Sequence, residues 1–138
     1  MMEQTTTLIV NADDFGLSEG INRGILAAHQ NGIVRSASIM PNGPAFEDAV
    51  DLARQDPTLD IGIHLSLLRE SSVAPAADLR DMVDGDRHLP ESYPVFTRQL
   101  LSKHFTTAQV QTEIRAQIER VLEAGIDPSH IDSHQHVH

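Results

Sequence analysis

The chain has 138 residues, 10 Lys and Arg against 20 Asp and Glu, a net charge of -10, 40% hydrophobic residues and no Cys. That length and hydrophobic share suit one soluble domain with a core of its own, and the charge argues against nucleic acid and anionic membrane surfaces, whose phosphates call for clustered basic residues. Without Cys there is no disulfide framework and no thiolate site, so any metal ligands must be His, Asp or Glu.

In chain order, Met1 to Thr7 carries neither a basic segment nor an apolar core of the kind a signal peptide needs, and no run approaches the roughly 18 apolar residues of a membrane span. The expected compartment is the cytoplasm. Leu8-Ile9-Val10 reads as an apolar strand that delivers Asp13 and Asp14 to its C-terminal lip. Ser18 then caps a helix with Ile21, Ile25 and Ala28 at helical spacing, ended by Asn31-Gly32. A second strand runs from Ile33 to Met40 and stops at the turn Pro41-Asn42-Gly43-Pro44. A helix from about Ala45 to Arg54 and a third strand from Leu59 to Leu65 complete a β-α-β-α-β order with crossovers suited to a parallel sheet.

Residues 66 to 105 break that rhythm with Pro75, Pro90, Pro94 and the Asp84-Gly85-Asp86 turn, and read as a long loop or insertion: a substrate-facing lobe or a plain surface excursion. Thr106-Thr107-Ala108-Gln109 is a capping box. It opens a helix with Val110, Ile114, Ile118, Val121 and Leu122 on one face, ending at Gly125 before a fourth strand near Ser129 to Ser133.

Three strand ends carry the chemistry. Adjacent strand side chains point to opposite faces, so one of Asp13 and Asp14 can hold an ion while the other reaches water; the same pair before a helix also suits its N-terminal dipole. His64 closes the apolar strand Ile61-Gly62-Ile63-His64-Leu65, where a lone His is more often a satisfied core residue than a ligand. The terminal cluster shifts that balance. Asp132, His134, His136 and His138 alternate, and an extended strand would set them on one face at spacings of about 7 Å. In a parallel sheet the carboxyl ends of distant strands meet, so the sequence predicts one divalent-metal centre built from these ends. His29, His88 and His104 read as surface residues.

The strings Asn11-Ala12-Asp13-Asp14-Phe15-Gly16, Gly62-Ile63-His64-Leu65 and His130-Ile131-Asp132-Ser133-His134-Gln135-His136-Val137-His138 together resemble the YdjC-like carbohydrate deacetylases, a family with chitooligosaccharide deacetylases and hopanoid-biosynthesis-associated members. The resemblance runs along essentially the whole chain. It implies an α/β fold, a parallel sheet of βα units forming a distorted or incomplete (β/α) barrel, of which residues 1–138 make the N-terminal half as a single partial domain. It further implies one divalent metal ion, magnesium or zinc, and removal of the acetyl group from an N-acetylated carbohydrate or glycolipid headgroup. Carried over by position, Asp14, His64 and His134 are the metal ligands, Asp13 the general base and Asp132 a support for the site. His136 and His138 contact substrate or water and are the candidate acids for the leaving amine, because imidazole is the side chain most readily charged near neutrality. Family members are about twice this length, and a sheet edge left open invites pairing, so a homo-oligomer or a complementing second chain is expected. The alternatives are a non-catalytic metal-binding fragment held by self-association, or another metal-dependent amidohydrolase.

Overall fold

The computed structural model describes residues 6–136. Four strands, β1 (Asn11–Phe15), β2 (Ser36–Ile39), β3 (Asp60–Leu65) and β4 (Ile131–Ser133), lie side by side in the order β1-β2-β3-β4, every neighbouring pair parallel. Helices α1 (Glu19–Asn31) and α2 (Phe46–Gln55) make the first two crossovers. A lobe with α3 (Ala76–Leu79), a 3-10 turn at Arg80–Met82 and α4 (Tyr93–Leu101) precedes α5 (Thr107–Glu123), which returns the chain to β4. Strands that follow one another in sequence and in space, each joined by a helical crossover, are the repeating unit of a (β/α) barrel wall.

The sheet has two unlike faces. Ala37, Ile39, Ile61, Ile63 and Leu65 point with Phe15 toward the helices and pack on Ile25, Phe46, Ala49, Val50 and Val121 in one core. The alternate positions are Asn11, Ser36, Ser38, Asp60, Gly62, His64 and Asp132, a polar surface where period-two alternation leaves nothing apolar. Ser38 is completely buried there and His64 is 3% exposed.

β1 departs from expectation. The paired segment is Asn11–Phe15, not Leu8–Val10; Leu8 and Ile9 are 80% and 70% exposed. Apolar content alone suggested a strand there, but pairing follows the partner: β2 meets β1 from Ser36↔Asn11 onward, and only the Val10 carbonyl takes part before that, accepting from the Arg35 and Ser36 amides. β2 is likewise shorter than its apolar run, starting at Ser36 because Ile33 is 71% exposed beyond the sheet.

The lobe has its own core of Leu67, Leu68, Ala74, Leu79, Met82, Leu89, Phe96 and Phe105. Its helix α4 escaped periodicity because it is only nine residues long and has Pro94 in its first turn, where a missing N–H costs nothing. The lobe is clamped to α5 by polar groups. Glu113 and Gln117, both fully buried, occupy the inner stripe of α5 with Val121, whereas Leu122 is 52% exposed. Glu113 accepts from the Val73 and Ala74 amides at 3.0 and 2.9 Å, and Gln117 takes the Ser66 amide at 3.0 Å while donating to the Ser66 carbonyl at 2.6 Å. Here the expected apolar face is rotated, because the lobe presents backbone donors that only a polar side chain can satisfy. His29 is also buried rather than a surface residue: Nδ1 donates to the Val34 carbonyl at 2.8 Å and Nε2 lies 2.9 Å from the Thr58 hydroxyl.

Candidate metal centre

Each strand end brings one part. Asp14 sits in the left-handed region at φ 63, inside a register irregularity of β1 between Ala12 and Phe15. Aspartate tolerates that conformation better than most residues. The consequence contradicts simple alternation, since Asp13 and Asp14 do not diverge: both offer a carboxylate oxygen within 4.8 Å of a His64 nitrogen. His64 comes from the end of β3, and its register partner Asp132 from β4.

Asp14 Oδ1 lies 3.3 Å from His64 Nε2 and 3.0 Å from His134 Nδ1. The two imidazoles meet edge to face with centroids 5.5 Å apart. Asp14, His64 and His134 each offer a ligand atom within 4.8 Å of the other two, a spacing from which three donors can converge on one ion at about 2.1 Å. Asp13, His64 and Asp132 form a second convergent group. In that group Asp132 is already engaged, taking His64 Nδ1 at 2.6 Å on Oδ1 and the Ser38 hydroxyl at 2.8 Å on Oδ2. Its contact with Nδ1 turns His64 Nε2 toward Asp14, the orientation a metal-binding imidazole needs. One carboxylate with two imidazoles suits zinc better than magnesium, which prefers oxygen donors.

Among the described residues the terminal ladder does not form. β4 ends at Ser133, and His134–His136 turn in a 3-10 segment with Gln135 and His136 at φ 55 and 54, so His134 and His136 leave a common face. His134 turns toward Asp14. His136 is exposed and lines a groove of about 460 Å³ between α4 and α5 with Tyr93, Phe96 and Val110; it shares no hydrogen bond with the centre among the described residues. His138 lies outside the described residues. A cleft of about 530 Å³ in the lobe, lined by Arg69, Asp84, His88 and His104, contains none of the convergent ligands.

Sequence reasoning passed over Asn11, Ser38 and His130. Asn11 Nδ2 donates to Asp13 Oδ1 at 2.8 Å and to Ser38 Oγ at 2.9 Å, joining the two halves of the centre. A polar residue at each inward position of β1 and β2 was a signal, because an inner face of ordinary packing would be apolar. No helix is long and apolar enough to cross a membrane among the described residues.

Fold and centre together define a parallel βα protein of barrel type whose aspartate and histidine side chains gather at the carboxyl ends of its strands. Residues 7–138 match the family described as YdjC-like protein, and the chain belongs to that family. It is 43% identical over 134 residues to a carbohydrate deacetylase of Brevibacillus brevis, covering 95% of this chain and 50% of that one. A carbohydrate deacetylase of Geobacillus stearothermophilus is 42% identical over 130 residues, covering 94% and 49%. A crystal structure from Enterococcus faecalis V583, described provisionally as a cellobiose-phosphate cleavage protein, superposes with a TM-score of 0.83 at 34% identity over 94% of this chain and 48% of its own. The chain spans about half the length of the curated relatives it matches.

Proposed function

We propose that the chain carries the metal-binding half of a carbohydrate deacetylase that hydrolyses the acetamido group of an N-acetylated sugar or glycolipid headgroup. The convergence of Asp14, His64 and His134, with the second nitrogen of His64 held by Asp132, carries the reading; the relatives, carbohydrate deacetylases, supply the substrate class. Asp14, His64 and His134 would hold a divalent ion, which when bound would supply Lewis acidity toward water and the amide carbonyl.

The chain's own groups do the rest. Asp13, exposed at the rim and held by Asn11 through one oxygen, keeps the other free to take the proton of the attacking water. Water oxygen adds to the acetyl carbon, the carbon-nitrogen bond breaks, and the amine leaves with a proton, giving acetate and an amino sugar. His136 and His138 are the candidates to return that proton. The outward position of His136 fits this role once substrate closes over the turn.

Acetate release from N-acetylglucosamine oligomers with added zinc tests the proposal. Asp14→Ala should abolish zinc uptake, and Asp13→Asn should bind zinc normally while losing at least about 100-fold in turnover, the scale of general-base catalysis. Zinc binding by the unaltered chain without acetate release would favour a non-catalytic metal-binding role, and full turnover by Asp13→Asn would remove the base assignment.

A further inference from the structure

Below the centre, on the inner face of the sheet, His130 occupies a place that no step of the proposed chemistry uses. Its ring lies flat against Gly62: a Cβ built there would sit 2.2 to 2.4 Å from Nε2, Cε1 and Cδ2 of His130. Any residue but glycine at position 62 would expel the imidazole. The ring bridges two serines. Nε2 is 3.1 Å from Ser38 Oγ and Nδ1 is 2.8 Å from Ser129 Oγ.

Hydrogen-bond bookkeeping decides the protons. Ser38 Oγ has one proton and two lone pairs. Asp132 Oδ2, at 2.8 Å, can only accept, so it takes that proton. Asn11 Nδ2, fixed as a donor by its bond to Asp13, fills one lone pair at 2.9 Å. The remaining contact, His130 Nε2, must therefore donate. At the other nitrogen the Ser129 hydroxyl lies 2.8 Å from Nδ1 and 2.7 Å from Asp60 Oδ2. The ring lies between two carboxylates, Asp60 of β3 and Asp132 of β4, with Asp13 of β1 one amide away and the neutral Ser36 and Ser38 from β2.

We infer that His130 is a positioning residue for the centre, its Nε2 donating to Ser38 Oγ and so locking the Ser38 hydroxyl onto Asp132, which holds His64 with Nε2 toward Asp14. If Nε2 were bare, Ser38 would turn its proton to the imidazole, and Asp132 Oδ2 would lose the Ser38 donor. The chain His130, Ser38, Asp132, His64 has no break longer than 3.1 Å. This inference rests on the reading of Asp14, His64 and His134 as ligands.

Two measurements on the intact chain test it. Zinc affinity is compared by calorimetry for the unaltered chain, Ser38→Ala, His130→Gln and the double variant. Each single change should weaken zinc by about tenfold, the low end for groups that orient a ligand, and the double variant should be no weaker than either, since both cut one link. Unchanged affinity in the single variants, or losses that multiply, overturn the inference; a packing role alone would lower stability without this pattern. Nitrogen-15 spectra of the imidazoles in the metal-free protein should show a proton on His130 Nε2, and a bare Nε2 overturns the inference. That second readout stands even if the unaltered chain binds no zinc, an outcome that would sink the proposed function itself.

Discussion

At the strand ends, Asp132 keeps 37% of its side chain exposed and faces an imidazole and a hydroxyl. At α5, Glu113 is completely buried and faces two backbone amides and the Gln117 side chain. The same functional group does different work because its partners differ. Imidazoles can exchange protons for a cation, so an acid set among them tunes a binding site. Backbone amides cannot titrate, so an acid closed over them is a clamp, here between the lobe and α5. Burial raises the Glu113 carboxyl above its ordinary range, against the pull of its bonds to Val73, Gln117 and Ala74.

That contrast can be broken from either side. The largest effect is expected at the strand ends: Asp132→Asn should cost about 10- to 100-fold in zinc affinity, read by calorimetry, with little change in unfolding. Glu113→Gln should reverse the pattern. Replacing one acceptor oxygen with NH2 leaves the Val73 or Ala74 amide facing a donor, a loss of about 1–3 kcal/mol in chemical unfolding, while zinc affinity stays put. Its pH signature has a definite sign. With the folded carboxyl titrating above the unfolded one, the folded state holds more protons between the two values, so stability falls as pH rises from the ordinary carboxylate range through the folded value. Glu113→Gln should remove that contribution, read as the difference in slope from the unaltered chain, and a difference of opposite sign would show that the amide bonds outweigh burial. Smallest is Thr106→Ala, which removes the hydroxyl acceptor of the Gln109 amide at the start of α5 and leaves the Thr106 amide bond to the Gln109 side chain, at a cost of about 1 kcal/mol, without moving zinc affinity.

The capping box was legible because it is local: Thr106 and Gln109 recognise each other three residues apart in any context. The parallel order of strands was legible for a similar reason, each βα unit carrying its own stops at Gly32, Pro41 to Pro44, and Asp56-Pro57. The stripe of α5 was not. Periodicity placed Leu122 inside and could not know that the lobe would present the amides of Val73 and Ala74 to Glu113, forty and thirty-nine residues away.

The candidate centre divides along the same line. The chain by itself declared which residue types could hold a cation, through two adjacent aspartates, a histidine closing an apolar strand and a cluster of terminal histidines, and it declared that strand ends would bring them together. Only the tertiary structure decided how. The left-handed Asp14 turns both β1 carboxylates to His64, β4 stops in time for His134 to bend inward while His136 turns out, and Ser38 with His130 connects the layer beneath. Pattern and propensity act over a few residues, whereas the direction of a side chain at a sheet edge depends on hydrogen bonds to strands that lie up to 120 residues away in sequence.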